Sequence, residues 1–253
     1  MEEIYNGGNK IMELRFRNLR AEEIECRVNQ IQGNWCSLLL YKDARCDMNI
    51  LDETVGPMNW DRDHKELKGN IYAGVSIYDS EKDDWVTKWD AGAETYTEKE
   101  KGEASDSFKR ACVNWGIGRE LYTSPSIFIL PRKDMVKKGK EQEFYKNDKD
   151  KYETKTRFSV EYIDYDKNNA IKDLIIRDDK GHIRFSQLTK ETSNKFQKIH
   201  QDMKKLIEKA EELDGTFDKE KMYKSYGVES DADMTITQMT EATEILKKKL
   251  GGK

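Results

Sequence analysis

The sequence has no long apolar run, and this bears on where the protein is expected to work. No segment approaches the roughly 18 consecutive apolar residues that a transmembrane helix requires. Residues 1–10 are polar, whereas a signal peptide has an apolar stretch near its N-terminus. We therefore expect no contact with a membrane and a protein that remains in the cytoplasm, the host cytoplasm if a phage encodes it.

Cysteine and histidine are scarce, with 4 and 3 residues respectively. The cysteines are Cys26, Cys36, Cys46 and Cys112. They form no C-x-x-C pair and lie near no pair of histidines, whereas a structural zinc site needs ligands in clustered pairs. The sequence therefore predicts reduced thiols that fill apolar space, and no metal site.

Nucleotide-binding motifs are also absent. The chain has no G-x-x-x-x-G-K-[ST] sequence, and its one G-x-G, at Gly116 and Gly118, follows a helical pattern and not a strand. This G-x-G is interpreted as the end of a helix and not as a dinucleotide loop. No cofactor is expected, and an ATP-driven activity is disfavoured.

Charge is abundant but unevenly distributed. Charged residues make up 37% of the chain, and the formal net charge is −4. The net charge is −7 over residues 1–130 and +3 over residues 131–253. The overall sign argues weakly against nucleic acid as a ligand, but an acidic exterior can still contain a groove lined by a few arginines and lysines.

Hydrophobic periodicity predicts an α+β fold for the first half of the chain. An antiparallel hairpin is expected from the alternation at 71–78 and the second extended run at 85–91. The other predicted elements are a helix at 20–28, a buried strand at 35–41, a helix from 44 that Gly56-Pro57 ends, and a helix at 102–115. Together they predict an antiparallel sheet packed on a helix.

The second half is predicted to contain a charged linker, a hairpin and helices. The segment 134–156 is rich in Lys, Glu and Asp and reads as a linker. Further predictions are strands at 158–165, 170–176 and 182–185 and helices at 193–213 and 219–250, the last broken near Tyr226-Gly227. The predicted domains are therefore a core at 12–130, a linker with an accessory hairpin at 131–187, and a helical C-terminal module at 188–253.

The segment 102–119, GEASDSFKRACVNWGIGR, has the most informative chemistry. The residues Ala104, Phe108, Ala111, Cys112 and Trp115 recur at helical spacing and predict a face that packs on the sheet. Lys109 and Arg110 then project to the other side. Both are cations that suit phosphate binding, and Arg can form two parallel hydrogen bonds to a phosphate. The alternative is an ordinary solvated helix face.

This segment resembles the signature helix of the Rad fifty-two superfamily and its phage relatives, in SDSFKRA and the following WGIGR. Residues 21–27 resemble the first helix of that family, which ends in a DNA-contacting arginine. Residues 44–60 resemble its second helix with a Gly-x-x-x-Trp exit. The resemblance covers roughly residues 12–125, and its several motifs occur in the family's order.

The resemblance implies a curved antiparallel sheet packed on the signature helix, a β-β-β-α core, in subunits that form rings or filaments. It implies no enzyme and no nucleotide cofactor, but single-stranded DNA binding and annealing in recombination and repair. The implied DNA-binding residues are Lys109, Arg110, Arg27, Arg45 and Arg119, with Lys101 and Lys88 as weaker candidates. The host's single-strand binding protein is a hypothetical partner of the C-terminal module.

Other interpretations remain open from the sequence. Asp52, Glu66 and Lys68 can be fitted to a magnesium-dependent nuclease pattern, although the usual strand context is missing. An apolar stripe within 236–246 predicts either an adaptor surface for a partner or packing on the protein's own helices. Finally, Trp60, Trp85, Trp89, Tyr72 and Tyr78 can stack on bases, but aromatics in strands beside a helix more often belong to the core.

Overall fold

The computed structural model describes residues 2–6, 9–93, 99–132, 143–213 and 216–251. Backbone contacts group the chain into two compact units. Unit 1 comprises Met1–Arg27, Leu39–Pro125 and Lys167–Ala170, and unit 2 comprises Val28–Leu38, Ser126–Asp166 and Ile171–Lys253. The predicted division at residues 130 and 187 stays a prediction, because this grouping by contacts is not a test of domain boundaries.

The first half contains β1 (Glu2–Asn6), β2 (Asn9–Glu13), β3 (Ile24–Gln32), β4 (Trp35–Lys42), α1 (Ala44–Val55), β5 (Trp60–Leu67), β6 (Asn70–Asp79), β7 (Asp84–Ala91) and α2 (Lys99–Trp115). The second half contains β8 (Ile127–Ile129), β9 (Tyr145–Lys146), β10 (Tyr152–Glu153), β11 (Phe158–Tyr165), β12 (Ile171–Asp178), β13 (Ile183–Gln187), α3 (Lys190–Leu213), α4 (Lys219–Ser225) and α5 (Ile236–Gly251). The fold is therefore α+β with antiparallel strand pairing and a C-terminal helix, as predicted.

Unit 1 is built around a three-stranded antiparallel sheet in the order β5–β6–β7. Ala73, Val75 and Ile77 alternate along β6 and are buried on the face that α2 covers. Trp115 of α2 donates a hydrogen bond from Nε1 to the carbonyl of Val75 at 2.9 Å. The hairpin of β6 and β7 and the helix α2 were both predicted. The alternation along β6 has the two-residue period of a strand, and the apolar residues of α2 recur with the 3.6-residue period of a helix.

The helix α1 begins and ends at residues suited to those positions. Asp43 accepts a hydrogen bond from the backbone N–H of Arg45 at 2.7 Å, which satisfies one of the unpaired donors of the first turn. Gly56 follows the last turn with a φ of 84°, a conformation that favours glycine. The predicted start and stop of this helix are confirmed.

Two local predictions were wrong or incomplete. Residues 20–28 were predicted to be a helix, but they form a short 3₁₀ turn at Ala21–Glu23 and the start of strand β3. The i, i+4 pair Ile24 and Val28 suggested a helix, but pairing in a sheet overrode that weak pattern. Strand β5 was not predicted, because its sequence WDRDHKEL lacks alternating apolar residues.

Unit 2 contains most of a six-stranded sheet in the order β13-β12-β11-β3-β4-β8, and β3 and β4 continue into unit 1. The strands β11, β12 and β13 agree with the predicted ones. The charged segment 134–156 contains the short paired strands β9 and β10, whereas residues 133–142 lie outside the described residues.

The C-terminal helices share a core of their own within unit 2. Met239, Ala242 and Leu246 of α5 pack with Met203 and Ile207 of α3. The apolar stripe of 236–246 therefore packs mainly on the protein's own helices, which was one of the two predicted alternatives. No helix among the described residues has the length and apolar composition that crossing a membrane would need.

Buried hydrogen bonds join the start of α5 to the strands of unit 2. Arg177 on β12 pairs with Glu161 on β11, and both side chains are almost fully buried. Arg177 also donates to the carbonyl of Met234 at 3.0 Å, and Glu161 accepts the backbone N–H of Ile236 at 3.1 Å. The buried ion pair is thus satisfied by backbone groups at the start of α5, as a desolvated pair requires.

Candidate nucleic-acid interface

Lys109 and Arg110 lie on α2 but on different sides of its exposed surface. Successive residues of an α-helix are rotated by about 100°, and the buried face of α2 is formed by Phe108, Ala111 and Cys112. Arg110 points toward β7, where its Nε lies 3.5 Å from Oδ1 of Asp90. Its side chain is 47% exposed, so a ligand can reach the guanidinium.

One turn further along α2, Asn114 fixes the helix against β7. Its side-chain amide donates to the carbonyl of Trp89 at 3.1 Å and to Oδ2 of Asp90 at 3.3 Å. Asp90 therefore contacts both Arg110 and Asn114. These contacts hold the exposed edge of α2 in a defined position along the strand.

Two more cations meet at the C-terminal end of α2. Lys88 Nζ donates to the carbonyl of Asn114 at 3.0 Å and lies 4.2 Å from the ring centroid of Trp115. Arg119 donates to the carbonyls of Val113 and Asn114 at 2.9 and 3.2 Å. Terminal carbonyls lack helical partners and carry the negative end of the helix dipole, so they attract cations.

These two cations have no carboxylate within 4.0 Å among the residues that the structure describes. Burial and the nearby charge of Arg119 lower the pKa of Lys88. The like charges are held together by the helix end, and an anion bound beside them would relieve their repulsion. We call Arg110, Lys88 and Arg119 the α2–β7 cation row.

Lys109 is less available than its neighbour. Its Nζ lies 4.0 Å from Oδ1 of Asp106, and its side chain is only 20% exposed. The pKa of Asp43 is held low by its hydrogen bonds with Arg45 and further by the charge of Lys109. Lys109 therefore lies among carboxylates and not in the cation row.

The remaining predicted DNA-binding residues lie elsewhere. Arg27 lies on strand β3 and not at the end of a helix, and it pairs with Glu25 at 2.6 Å while its guanidinium lies 4.9 Å from the ring centroid of Tyr41. Arg45 is 81% exposed and pairs with Asp43 at 2.8 Å. Lys101 falls in α2, but its side chain lies outside the described residues.

The aromatic residues of unit 1 divide between the two faces of the three-stranded sheet. Trp60 faces α2, with its ring centroid 6.3 Å from that of Phe108. By strand register, the face away from α2 carries Tyr72, Tyr78, Trp85 and Trp89. Trp85 is 45% exposed, and Tyr72, Tyr78 and Trp89 are partly buried, so none of the four belongs to the fully buried core.

Glycine and lysine shape this outer face around Trp89. A Cβ on Gly74 would lie 2.7 Å from the Trp89 ring, so only glycine lets the ring lie across the strand. Lys65 Nζ lies 4.1 Å from the centroid of that ring, a cation–π contact. No sequence pattern indicated Lys65, because it lies on strand β5, whose polar sequence does not alternate.

A buried ion pair supports the turn that carries Arg119. Lys42 and Asp47 are both almost fully buried and hydrogen-bonded to each other. Gly118 has a φ of 70°, and a Cβ there would overlap the Lys42 side chain. Burial raises the pKa of Asp47 to about 6, although Lys42 opposes this shift.

The predicted nuclease residues show no metal site. Asp52 accepts a hydrogen bond from Nε1 of Trp60 at 2.7 Å, and Glu66 and Lys68 are exposed at the end of β5 and in the next turn. Within the described ranges, no group of three His, Cys, Asp or Glu residues could hold a metal ion. The four thiols are free, and burial raises the pKa of Cys26, Cys36 and Cys46 to about 12.

No protein-family model matches the chain, and no curated protein matches it at a significant level. Functional inference therefore depends on the sequence motifs and on the geometry of unit 1.

Proposed function

We propose that the protein binds single-stranded DNA and anneals complementary strands without ATP, as a phage-type member of the Rad fifty-two superfamily. The observation that carries the proposal is the α2–β7 cation row. Arg110, Lys88 and Arg119 follow one another in space along one side of α2, the helix whose motif resembles that family's signature. Shared contacts with Asp90 and Asn114 link the three cations.

The order of elements in unit 1 supports this proposal. Strands β5, β6 and β7 follow one another as an antiparallel meander, and α2 comes next and packs on one face of their sheet. The resemblance implies a β-β-β-α order, so this succession of elements supports the proposal. A fold can host many functions, so the arrangement counts as support only together with the cation row.

The chemistry of the row fits annealing. Guanidinium and ammonium groups bind phosphates of any sequence, and such contacts leave the base edges free to pair. Arg110 already contacts a carboxylate, Asp90, and a phosphate oxygen can take the place of that partner. A protein that read the bases would instead block the pairing that annealing requires.

Assembly and partners are part of the same proposal. One row of three cations contacts few phosphates, so firm binding of a long strand requires several subunits that act together. We propose a homo-oligomer, a ring or a filament, that works in the cytoplasm in recombination and repair. The C-terminal helices are the proposed contact for the host's single-strand binding protein.

A strand-annealing assay tests the proposed function. Two complementary labelled oligonucleotides are mixed with the protein, with and without ATP and Mg²⁺. We expect faster annealing than in the absence of protein and no dependence on ATP. Failure to bind single strands or to accelerate annealing would overturn the proposal, and Mg²⁺-dependent cleavage of the strands would favour the nuclease alternative.

A further inference from the structure

A cleft in unit 1 begins where the α2–β7 cation row ends. It has a volume of about 690 Å³ and is lined by residues 14–18, by the end of α2 with the turn after it, and by the β11–β12 turn at residues 167–169. Arg119 belongs both to the cation row and to this lining. We call it the Arg119 cleft.

The lining of the Arg119 cleft is strongly cationic. It contains the side chains of Arg15, Arg17, Arg119 and Lys167. Arg17 is held by Glu23 and Glu53 at 2.7 Å each, so its charge is largely compensated. Arg119 is instead directed by the carbonyls at the end of α2, and Lys167 is exposed on its turn.

The acidic residue in the lining, Glu120, is buried and already engaged by the backbone. Its carboxylate accepts the backbone N–H of Leu19 at 2.7 Å. Burial raises the pKa of Glu120, and the backbone hydrogen bonds to its carboxylate oppose that shift. Amide groups are also present, and Asn18 donates to Asn169 at 3.3 Å across the cleft wall.

We propose that the Arg119 cleft binds the phosphodiester backbone of a single strand as it leaves the cation row. This inference rests on the proposed function and extends the DNA-binding surface to Lys167 and Arg15, which no sequence motif indicates. The volume lies within the range of about 300–1,000 Å³ typical of ligand pockets, so the cleft has room for a nucleotide.

The shared residue Arg119 favours a continuous strand over a free nucleotide. A backbone that follows Arg110 and Lys88 reaches Arg119, and the next phosphate then lies between Arg119 and Lys167 at the mouth of the cleft. A free nucleotide in the cleft would make no contact with Arg110 or Lys88, the two cations of the row that do not line the cleft. The source of the phosphate can therefore be decided by experiment.

The test uses full-length protein and a fluorescent oligothymidylate, with affinity measured over a range of salt concentrations. Affinity falls as salt rises, and Lys167→Ala should make the plot of log affinity against log salt less steep by roughly 0.7, the value for one phosphate contact on a single strand. Between about 50 and 200 mM salt, the ratio of wild-type to variant affinity should then fall about 2- to 3-fold. Lys167→Arg, which retains the charge, should keep the wild-type slope.

Lys180→Ala is the matched control. Lys180 is an exposed lysine in the β12–β13 turn and does not line the cleft, so the change in net charge is the same. Circular dichroism checks that both variants fold. Identical salt slopes for Lys167→Ala and Lys180→Ala, with the wild type binding normally, would overturn the assignment of the Arg119 cleft to DNA binding. The proposed function would still stand in that case.

Two other outcomes separate this inference from the proposed function. If the wild type binds no oligothymidylate, the proposed function itself fails, and the cleft assignment with it. If thymidine monophosphate alone binds and Lys167→Ala abolishes that binding, the cleft takes a free nucleotide, and the assignment to a continuous strand is overturned.

Discussion

Lys109 and Arg110 are adjacent in sequence and differ in their surroundings. Arg110 is exposed beside a single carboxylate, whereas Lys109 is mostly covered and lies among several. A phosphate that approaches Lys109 must compete with those carboxylates and displace more of the surrounding structure. The two residues should therefore contribute unequally to DNA binding, although the motif alone treats them as a pair.

We predict that Arg110→Ala weakens binding of single-stranded DNA more than Lys109→Ala does. Loss of a phosphate contact at Arg110 should lower the salt slope by roughly 0.7, with a smaller change for Lys109→Ala. Titrations of a labelled oligonucleotide at several salt concentrations measure both effects. Lys82→Ala, at the tip of the β6–β7 hairpin, is a control that should leave the slope unchanged.

The opposite ranking, or equal slopes for the two variants, would contradict this prediction. Unfolding of either variant is not expected, because both side chains lie off the buried face of α2. A thermal melt followed by circular dichroism verifies that condition before the affinities are compared.

A second prediction at the residue scale concerns Asp47. Burial raises its pKa in the folded protein to about 6, above the ordinary value of an aspartate. The folded state therefore holds this proton more tightly than the unfolded state. The resulting stabilisation is fully present below about pH 4 and is lost as the pH rises through about 6.

We expect the wild type to lose about 2 kcal/mol of stability relative to Asp47→Asn as the pH rises from about 4 to about 6. The asparagine does not titrate, so the difference between the two proteins isolates Asp47 from all other groups. Urea unfolding at several pH values measures the free energies. A difference that stays constant across this range would show that burial does not raise the pKa of Asp47.

At the scale of elements, the end of α2 depends on a glycine for two separate reasons. Gly118 adopts a φ of 70°, and the Lys42 side chain occupies the space that a Cβ would need. Gly69, in the β5–β6 turn, has a φ of 79° but nothing within 4 Å of an added Cβ. A comparison of Gly118 with Gly69 therefore separates the cost of a positive φ from the cost of steric overlap with a neighbouring side chain.

We predict that Gly69→Ala costs about 1–2 kcal/mol of stability, the cost of a left-handed conformation. Gly118→Ala should cost about 1–3 kcal/mol more, because the buried Lys42 must also shift. Chemical denaturation measures both values. Equal losses would show that Lys42 adapts without cost, and a larger loss for Gly69→Ala would contradict the argument.

At the scale of the whole molecule, hydrogen bonds and ring packing join the C-terminal helices to the strands of unit 2. Thr192 of α3 donates to Asp173 of β12 at 2.7 Å, and the ring of Phe196 lies edge-on to Tyr162 with centroids 4.9 Å apart. Arg177 reaches the carbonyl of Met234. Removal of residues 188–253 would leave these partners exposed.

We expect truncation after residue 187 to lower the midpoint of thermal unfolding while annealing of naked strands persists at low temperature, because the cation row belongs to unit 1. Annealing of strands coated with the host's single-strand binding protein should be impaired. Calorimetry and the annealing assay provide the measurements. Ile245→Ala, at a residue that is 51% exposed, is a control for stability and should leave the midpoint of unfolding unchanged.

Loss of naked-strand annealing under conditions where the truncated protein is still folded would contradict this prediction, since the tail would then belong to the annealing machinery. An identical response with coated and naked strands would remove the reason to propose a partner contact.

Sequence pattern alone determined α1, β6, β7 and α2, because strong alternation or helical spacing and well-placed glycines specify those elements locally. It also indicated Arg110 and Arg119 as cations on or beside α2. It failed at β3 and β5, where few apolar residues alternate and partner strands decide the conformation. Strands of mostly polar residues carry too little local information to be recognised by themselves.

Only the tertiary structure decided which cations lie together. Lys88 and Arg119 are 31 residues apart and meet because β7 runs beside the end of α2, where both donate to the carbonyl of Asn114. Lys109, next to Arg110 in sequence, instead lies near Asp106 of its own helix and near Asp43, which precedes α1. Electrostatic surroundings depend on distance in space, and a linear motif does not encode the carboxylates or helix ends that folding brings near.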